Sequence, residues 1–377
     1  MSETAPAPMP WLAGYPEGID WAAPISEEPL TLAFDRSVER HGAAPCIDFL
    51  GKTYSYREVG DLVDRAAKGL QSLGVARGVR VGLLLPNTPY FVICYYAILK
   101  AGGTVVNFNP LYVEEEIEHQ IEDSGTKIMV TLDLELTLPK VSKALAKTGL
   151  ECVVVCSMTE ILPFPKNLLF ALFKRGQLAK VPRGAGHLGF AGFVSNDGAY
   201  RRIEIEPRED IAVIQYTGGT TGVPKGAMLT HANIAVNARQ VEMWFPGIVE
   251  EQQRIYGVLP LFHVFAMTSV MNLAVLAGAE LVLVPRFDLK QTLDLLDRKK
   301  VTLFPGVPTI YNAISHHPAL ERYDFSALRF CISGGAPLPV EVKRRFEKLT
   351  GCSLVEAYGL SETSPAVTSN PLFGVSK

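Results

Sequence analysis

The stretch that decides the fold is residues 79–108, VRVGLLLPNTPYFVICYYAILKAGGTVVNF. Residues 79–85 form a short apolar run ended by a proline and an asparagine, which is typical of a buried strand. Residues 90–100 form a largely apolar run of helical length, and two glycines follow at 102 and 103, which predicts a helix that ends there. Residues 104–108 are apolar again and predict the next strand. A strand, a helix and a second strand in this order indicate a parallel pair of strands with a helical crossover.

The same alternation continues along most of the chain. Further strands are predicted at residues 127–131, 151–156, 211–216, 255–259, 280–284, 303–305, 328–333 and 353–358. Further helices are predicted at residues 113–123, 141–147, 232–243, 289–299, 308–316 and 339–350. This order predicts an α/β protein with mostly parallel sheets flanked by helices.

The domain organisation follows from shifts in composition. Residues 1–28 are rich in proline and alanine and are predicted to form an extended N-terminal arm. A polar stretch near residues 195–210 separates two similar patterns. We therefore expect a first α/β lobe over residues 29–200 and a second α/β lobe over residues 201–377.

Composition excludes several classes of protein. The chain has 377 residues, 36 Lys plus Arg and 39 Asp plus Glu, for a net charge of −3. Such a balance gives no support for nucleic-acid binding, which depends on neutralising phosphates. The 6 cysteines are irregularly spaced and none forms a C-x-x-C pair, so neither a zinc site nor a disulfide framework is indicated. We expect a reduced, cytoplasmic protein.

Two apolar stretches raise the question of a membrane. Residues 256–279 carry no charged side chain, but a proline and a histidine interrupt them, so we predict buried strand and core helix. Residues 161–189 combine apolar side chains with Lys and Arg and contain no Asp or Glu. That composition suits either a peripheral contact at the inner membrane surface or a surface helix packed on its domain, and the sequence leaves both open.

A glycine- and threonine-rich segment carries the strongest chemical signal. Residues 216–231, YTGGTTGVPKGAMLTH, begin at the end of a predicted buried strand and end where a helix is expected. Glycines allow backbone N–H groups to converge on an anion, and the threonines add hydroxyl donors. A single lysine adds a positive charge suited to a polyphosphate. The segment is not a Walker A loop, because a glycine follows the lysine.

Two further motifs follow apolar strands. Residues 358–365, YGLSETSP, place Glu362 after a strand, at the edge where open α/β sheets bind ligands. A carboxylate there could hold Mg²⁺ against nucleotide phosphates, although Ser361 or Glu362 could instead cap a helix. Residues 333–339, SGGAPLP, contain a Gly-Gly loop against which a flat ring could lie.

Together these motifs resemble the adenylate-forming superfamily of acyl-CoA synthetases, luciferases and peptide-synthetase adenylation domains. The segment 259–266, LPLFHVFA, stands between the first and last motifs in the order typical of that superfamily. The sequences of residues 324–339 and of the NPL at 370–372 are most similar to those of bacterial long-chain fatty-acid–CoA ligases. The resemblance runs from about residue 29 to the C-terminus.

The resemblance implies roles for particular residues. The implied catalytic residues are Lys225, Glu362 and His263. The implied nucleotide-binding residues are Thr217, Gly218, Gly219, Thr220, Thr221, Gly222, Lys225, Gly226, His263, Gly334, Gly335, Ala336, Tyr358, Gly359, Ser361 and Glu362. The implied Mg²⁺ ligands are Thr217 and Glu362. Phe262, Phe265, Met267 and Met271 are ordinary core by default, and in this superfamily they could line an acyl tunnel.

The resemblance also implies a reaction. ATP and Mg²⁺ would activate a long-chain fatty acid as acyl-adenylate, and CoA would then take up the acyl group. Two alternatives stay open: activation of another carboxylate, aryl or medium-chain, and a non-catalytic module that binds lipid or membrane. A homodimer is likewise left open. No T-G-D segment, hinge or C-terminal domain follows Glu362, so we expect an N-terminal fragment that binds its substrates but turns over poorly.

Overall fold

The fold is known from a computed structural model that describes residues 9–16, 18–182, 184, 186–218, 224–245, 247–248 and 251–372. Its strands are β1 (Pro45–Phe49), β2 (Lys52–Ser55), β3 (Arg80–Leu84), β4 (Thr104–Asn107), β5 (Ile128–Leu132), β6 (Cys152–Cys156), β7 (His187–Gly189), β8 (Ile211–Thr217), β9 (Lys225–Thr230), β10 (Arg254–Gly257), β11 (Glu280–Leu283), β12 (Leu303–Gly306), β13 (Phe330–Ser333), β14 (Leu354–Gly359) and β15 (Ala366–Ser369).

The α-helices are α1 (Leu30–His41), α2 (Tyr56–Ser72), α3 (Pro89–Lys100), α4 (Glu114–Ser124), α5 (Leu138–Lys147), α6 (Lys166–Phe173), α7 (Phe190–Phe193), α8 (His231–Met243), α9 (Val264–Ala266), α10 (Leu273–Leu276), α11 (Leu289–Arg298), α12 (Pro308–Ser315) and α13 (Val340–Thr350). A π-helical segment, Met267–Asn272, joins α9 to α10 without a break. The predicted α/β class with mostly parallel sheets is confirmed.

The strands form two sheets. One has eight strands in the order β15–β14–β13–β12–β10–β11–β1–β2, and the other has seven in the order β7–β6–β5–β3–β4–β8–β9. Pairing is parallel except for β2 and β15 in the first sheet and β9 in the second. The antiparallel strands therefore lie at sheet edges, beside long parallel cores.

The two sheets exchange strands along the chain. The strands β1 and β2 precede residue 200 but join the eight-stranded sheet, while β8 and β9 follow residue 200 but join the seven-stranded sheet. The predicted lobe boundary at residue 200 therefore does not separate the sheets. The physical reason is that β1 pairs with β11 and β4 with β8, so each sheet completes its core with strands from the other part of the chain.

Helices fill the space between the sheets. Helix α2 contacts β1 and β2 of one sheet, α3 contacts β3 and β4 of the other, and α2 packs on α3. Every residue of α3 is buried, including Lys100, whose ammonium group pairs with the carboxylates of Asp35 and Asp64. Helices α4 and α5 pack on each other and contribute to a separate apolar cluster on the other face of the seven-stranded sheet.

The N-terminal arm and the uncharged stretch at residues 256–279 have defined positions. Within the described part of the arm, Pro10–Gly14 forms a 3₁₀ helix, and the ring of Tyr15 packs edge-on against Trp244 with centroids 5.4 Å apart. The uncharged stretch forms the end of β10 and the buried helical run from α9 to α10, as predicted. In the part of the chain that the structure describes, no helix has the length and apolar character required to cross a bilayer.

Candidate active site

The threonine- and glycine-rich segment lies at the tip of an antiparallel hairpin. Strand β8 ends at Thr217, which pairs with Lys225 at the start of β9, and Tyr216 pairs with Gly226. Sequence reasoning expected a loop up to the helix, but residues after Lys225 instead form an edge strand. Alternating side chains of β9, such as the buried Leu229, pack inward, which explains why the chain becomes regular there.

The middle of this segment is outside the described residues. Gly219, Thr220, Thr221 and Gly222 belong to that part, so their predicted contacts with a nucleotide stay predictions. At its described edges, Thr217 is half-buried, whereas Gly218 and Lys225 are exposed. The side-chain hydroxyl of Thr217 donates to the Lys225 carbonyl oxygen over 3.5 Å, a long contact.

Glu362 lies on a tight turn between β14 and β15. The Leu360 N–H donates to the Pro365 carbonyl oxygen over 3.0 Å, and the Thr363 hydroxyl donates to the same oxygen over 2.5 Å. Residues Ser361–Thr363 form one 3₁₀ turn, and Glu362 is exposed at its centre. The turn therefore projects a carboxylate beyond the end of a parallel strand, as the sequence predicts.

The turn with Glu362 lies next to the strand that Lys225 begins. Cα atoms of β9 approach those of Ser361–Thr363 to within 8 Å. Helix α8, which follows β9, fixes the other end of the turn: Asn237 accepts a hydrogen bond from the Ala366 N–H and donates one to its carbonyl oxygen, both over 2.9 Å. Two motifs that are far apart in sequence thus lie next to each other in the fold.

The Gly-Gly loop after β13 lies beside Phe265, two residues after His263, and beside the end of β14. A Cβ atom at Gly334 would lie 3.0 Å from the Phe265 ring and 3.5 Å from the Ala357 carbonyl oxygen. Gly335 has a φ of +77°, and it is exposed together with Ala336. A side chain at Gly334 would press on the Phe265 ring, so glycine suits this close approach.

The backbone segment leading to His263 is held by buried amide side chains. Asn87 donates to the Gly257 and Leu259 carbonyl oxygens over 3.0 and 2.8 Å and accepts from the Leu261 N–H over 2.8 Å. Gln215 of β8 donates to the Phe262 carbonyl oxygen over 3.0 Å. The seven-stranded sheet thereby positions the segment that leaves the eight-stranded sheet.

The imidazole of His263 has a lowered pKa. Its surface is open to solvent, yet protein atoms crowd the ring, and this partial desolvation lowers the pKa of the imidazole below its usual 6.5. The ring packs at 4.6 Å from the ring of Phe262. An accessible imidazole with a depressed pKa is neutral at pH 7.

Sequence reasoning missed the amides that hold these segments. Asn87 was interpreted only as the residue that ends a strand, and Gln215 and Asn237 carried no motif. All three are buried, and their partners are backbone groups far away in sequence. A polar side chain inside an apolar run was the available signal, since buried amides normally have hydrogen-bond partners.

The protein itself offers few ligands for a metal ion. No group of three or more His, Cys, Asp or Glu side chains suited to a metal occurs among the described residues. The predicted pair Thr217 and Glu362 supplies a hydroxyl and a carboxylate oxygen, the donor type that Mg²⁺ prefers. Such a pair fits an ion that keeps its waters and is shared with substrate phosphates.

Comparison with known proteins identifies relatives of the chain. A long-chain-fatty-acid–CoA ligase of Bacillus subtilis (strain 168) is 41% identical over 371 residues, which are 98% of this chain and 66% of the relative. The chain thus spans about two thirds of the length of its curated relatives. A long-chain-fatty-acid-CoA ligase structure from Archaeoglobus fulgidus aligns with a TM-score of 0.76 at 26% identity, covering 93% of this chain and 67% of that one.

The fold comparison extends to more distant proteins. The structure of the anthranilate CoA ligase AuaEII aligns with a TM-score of 0.81 at 22% identity, over 93% of this chain and 63% of that one, which shows a shared fold. The family model for the AMP-binding enzyme matches residues 34–376, nearly the whole chain. On the strength of that match, this chain belongs to the family of AMP-binding enzymes.

Proposed function

We propose that the protein activates a long-chain fatty acid with ATP and transfers it to CoA. A carboxylate oxygen of the acid attacks the α-phosphate of ATP, and pyrophosphate leaves. The sulfur of CoA then attacks the carbonyl carbon of the acyl-adenylate, a thioester forms, AMP leaves, and the thiol proton goes to solvent. The name of the Bacillus subtilis relative supports the choice of acid and of acceptor.

The observation that carries this proposal is the proximity of the motifs in the fold. Strand β9, which begins at Lys225, lies within 8 Å of the turn with Glu362, measured between Cα atoms. The strand before that turn contacts the Gly334 loop through the Ala357 carbonyl oxygen. Groups able to bind phosphates and a flat ring are therefore assembled at one end of the parallel strands, where α/β sheets bind ligands.

The charges of the site suit the first step. A carboxylate and a triphosphate repel one another, so bringing them into contact requires positive charge and oriented donors. Lys225 is exposed at the start of β9 and is free to reach a phosphate. The N–H groups and hydroxyls of the 217–226 segment would add donors around the same oxygens.

Mg²⁺ would be held by Glu362 and Thr217 together with phosphate oxygens. When bound, the ion would neutralise part of the phosphate charge that develops as pyrophosphate leaves. His263, neutral at pH 7, would lie between the nucleotide and the acyl group without adding a charge. Its backbone is positioned by Asn87 and Gln215, as described above.

The region after His263 supports an apolar substrate. Residues 264–276 form a continuous helical run without a charged side chain. Its middle part is the π-helical segment Met267–Asn272. Short π-helical segments occur frequently at functional sites. Met267 and Met271 are fully buried in this structure, so the acyl chain would have to displace or border these flexible side chains.

A nucleotide-binding measurement tests the site. Binding of a non-hydrolysable ATP analogue with Mg²⁺ is compared by calorimetry for the chain, Lys225→Ala and Glu362→Ala. Loss of a charge-assisted contact predicts at least about 10-fold weaker binding for each variant. Matched controls are Lys348→Ala and Glu341→Ala, exposed residues on α13, and they should bind as the parent chain does. Unchanged affinity in both site variants would refute the assignment.

The substrate class needs its own measurement. Palmitate, octanoate and an aryl acid such as cinnamate are compared for binding in the presence of the ATP analogue. The proposal expects palmitate to bind most tightly, because each buried CH₂ contributes about 0.8 kcal/mol. Tighter binding of octanoate or of the aryl acid would replace the fatty acid with one of the alternatives.

Two further parts of the proposal concern partners. We propose that residues 161–189 contact a membrane surface, which is supported by their exposed apolar and basic side chains. A homodimer stays a prediction, and sedimentation velocity over a range of concentrations tests it.

A further inference from the structure

A surface helix exposes most of its apolar side chains. Helix α6 (Lys166–Phe173) has no buried residue. The large apolar side chains exposed on it and just before it are Phe164 (79%), Leu168 (53%), Leu169 (48%), Leu172 (72%) and Phe173 (79%). We call residues 164–180 the α6 surface. Single exposed apolar residues are ordinary, but five within ten positions mark an interaction site.

The exposed side chains are not needed to hold the helix in place. Phe170 points inward and packs against the main core, and Ile161 and Leu162 just before the helix are buried. Lys166 donates to the Leu50 carbonyl oxygen over 2.7 Å, which attaches the first turn to the β1–β2 connection. The helix is therefore anchored on one side, and its other side faces outward without a partner in the described chain.

The charged side chains that this stretch of the chain carries have one sign, although Glu135, whose N–H donates to the Gln177 carbonyl oxygen, lies beside it. The stretch 161–189 contains Lys166, Lys174, Arg175, Lys180 and Arg183 and no Asp or Glu. Lys174, Arg175 and Lys180 are exposed, and among the described residues none of them has a carboxylate within 4 Å. An unpaired basic rim around an apolar face is complementary to a surface that is anionic outside and apolar beneath.

We propose that the α6 surface binds the headgroup region of an anionic phospholipid bilayer. Leu172, Phe173 and Phe164 would enter the boundary between headgroups and acyl chains, while Lys174 and Arg175 contact lipid phosphates. Eight residues of helix extend only about 12 Å, against an apolar thickness of about 30 Å, so α6 lies in the plane of the surface. This deepens the membrane contact proposed above, but it requires neither ATP nor CoA.

Vesicle binding of the 377-residue chain tests the proposal. Co-sedimentation is measured with phosphatidylcholine vesicles and with mixed phosphatidylcholine–phosphatidylglycerol vesicles, without nucleotide, CoA or fatty acid. The chain should bind the mixed vesicles and bind the neutral ones at least about 10-fold more weakly. Because no substrate is present, a failure here is distinct from a failure of the nucleotide site.

Variants locate the contact. Leu172→Ser with Phe173→Ser, and separately Lys174→Ser with Arg175→Ser, should each weaken binding by about 10-fold or more. The matched control is Leu111→Ser with Val113→Ser, since these side chains are exposed by 71% and 54% but precede the acidic first turn of α4. The control should bind as the parent chain does.

A fluorescence measurement distinguishes insertion from adhesion. In Leu172→Trp, emission should shift to shorter wavelength on mixed vesicles and be quenched by brominated lipid, whereas Leu111→Trp should show neither effect. Sedimentation velocity without lipid is run on the same variants.

Three results would overturn the proposal: no sedimentation of the parent chain with mixed vesicles, binding that survives both α6 double substitutions, or equal binding to neutral vesicles. A fourth would be a parent dimer in solution that Leu172→Ser with Phe173→Ser dissociates, with vesicle binding unchanged. That result would assign the α6 surface to a second copy of the chain.

Discussion

Glycines in the motifs are required for different reasons. A Cβ atom at Gly359 would lie 2.2 Å from the Pro365 carbonyl oxygen, and one at Gly226 would lie 2.6 Å from Ile214 Cγ2. Both residues are therefore glycine because the fold leaves no space for a side chain. At Gly218, by contrast, a Cβ atom would meet no described atom within 4 Å. Packing thus accounts for glycine at positions 226 and 359, whereas the nucleotide-binding role implied for Gly218 stays a prediction.

His231 is a buried histidine that follows the end of β9, whereas Lys225 of the candidate site begins that strand. It begins α8 and lines a cavity of about 210 Å³ that Arg77 and Arg80 also border. Its Nδ1 is buried and has no hydrogen-bond partner among the described residues. Burial lowers the pKa of His231 to about 4, and nearby Asp210 opposes the shift only in part.

The depressed pKa of His231 predicts a pH dependence of stability. Since the unfolded chain binds this proton near pH 6.5 and the folded chain near pH 4, the stabilisation is complete above pH 6.5 and is lost as the pH falls towards 4. The loss amounts to about 3 kcal/mol. Between pH 6.5 and pH 4, the free energy of unfolding of His231→Phe, measured with urea, should fall by about 3 kcal/mol less than that of the parent chain. The exposed His119→Gln should keep the parent's pH dependence, and an equally steep dependence in His231→Phe would contradict the prediction.

At the scale of elements, the candidate site consists of strand ends joined by short turns. The β8–β9 hairpin carries Lys225, and the turn between β14 and β15 carries Glu362. The turn with Glu362 is not positioned by its own sequence alone, because it is attached to α8 through Asn237. Such attachments fix where Lys225 and Glu362 lie relative to each other, and this decides whether both side chains can contact one ligand.

Asn237→Ala should loosen the turn with Glu362. The substitution leaves the Ala366 N–H and carbonyl group without partners, which costs about 1–3 kcal/mol of stability. We also expect weaker binding of the ATP analogue, because the turn loses its fixed position. Urea unfolding and calorimetry measure the two effects. Gln240→Ala is the control, since it removes only the Asn237 contact to a side chain at 3.2 Å; an equal effect of both substitutions would refute the positioning role.

At the scale of the whole molecule, two sheets are joined through buried polar contacts as well as apolar packing. Asn87 follows β3 of the seven-stranded sheet, yet all three of its hydrogen bonds go to the segment 257–261 that follows β10 of the eight-stranded sheet. Tyr96 likewise donates to Asn272 over 2.7 Å across the central helices. The position of His263 therefore depends on how the sheets are docked.

Asn87→Ala should destabilise the junction of the sheets. The Leu259 carbonyl oxygen and the Leu261 N–H lose the Asn87 side chain as partner, while the Gly257 carbonyl oxygen keeps only the Val284 N–H, so we expect a loss of about 3 kcal/mol in the free energy of unfolding. Amide hydrogen exchange should accelerate in residues 257–263 more than in β6, which is two strands away from β3 in the seven-stranded sheet. The exposed Asn312→Ala serves as control and should change neither measurement. Uniform exchange rates across the two segments in Asn87→Ala would contradict the proposed role.

The sequence by itself determined the class of fold and the identity of the motifs. Apolar runs of strand length alternate with helical patterns, and this periodicity depends only on local order along the chain. Helix α8 begins at His231, directly after the predicted boundary, because Thr230 supplies a capping hydroxyl to the Asn233 N–H. Local patterns of this kind are readable without knowing any contact.

Only the tertiary structure decided which strands share a sheet and which side chains hold the motifs together. The exchange of β1, β2, β8 and β9 between the sheets, and the hydrogen bonds of Asn87, Gln215 and Asn237, join residues far apart in sequence. Pairing between distant strands is selected by burial and register over the whole chain, and no window of residues contains that information. The exposure of the α6 surface is also a property of the tertiary structure, because it depends on whether another described part of the chain packs over it.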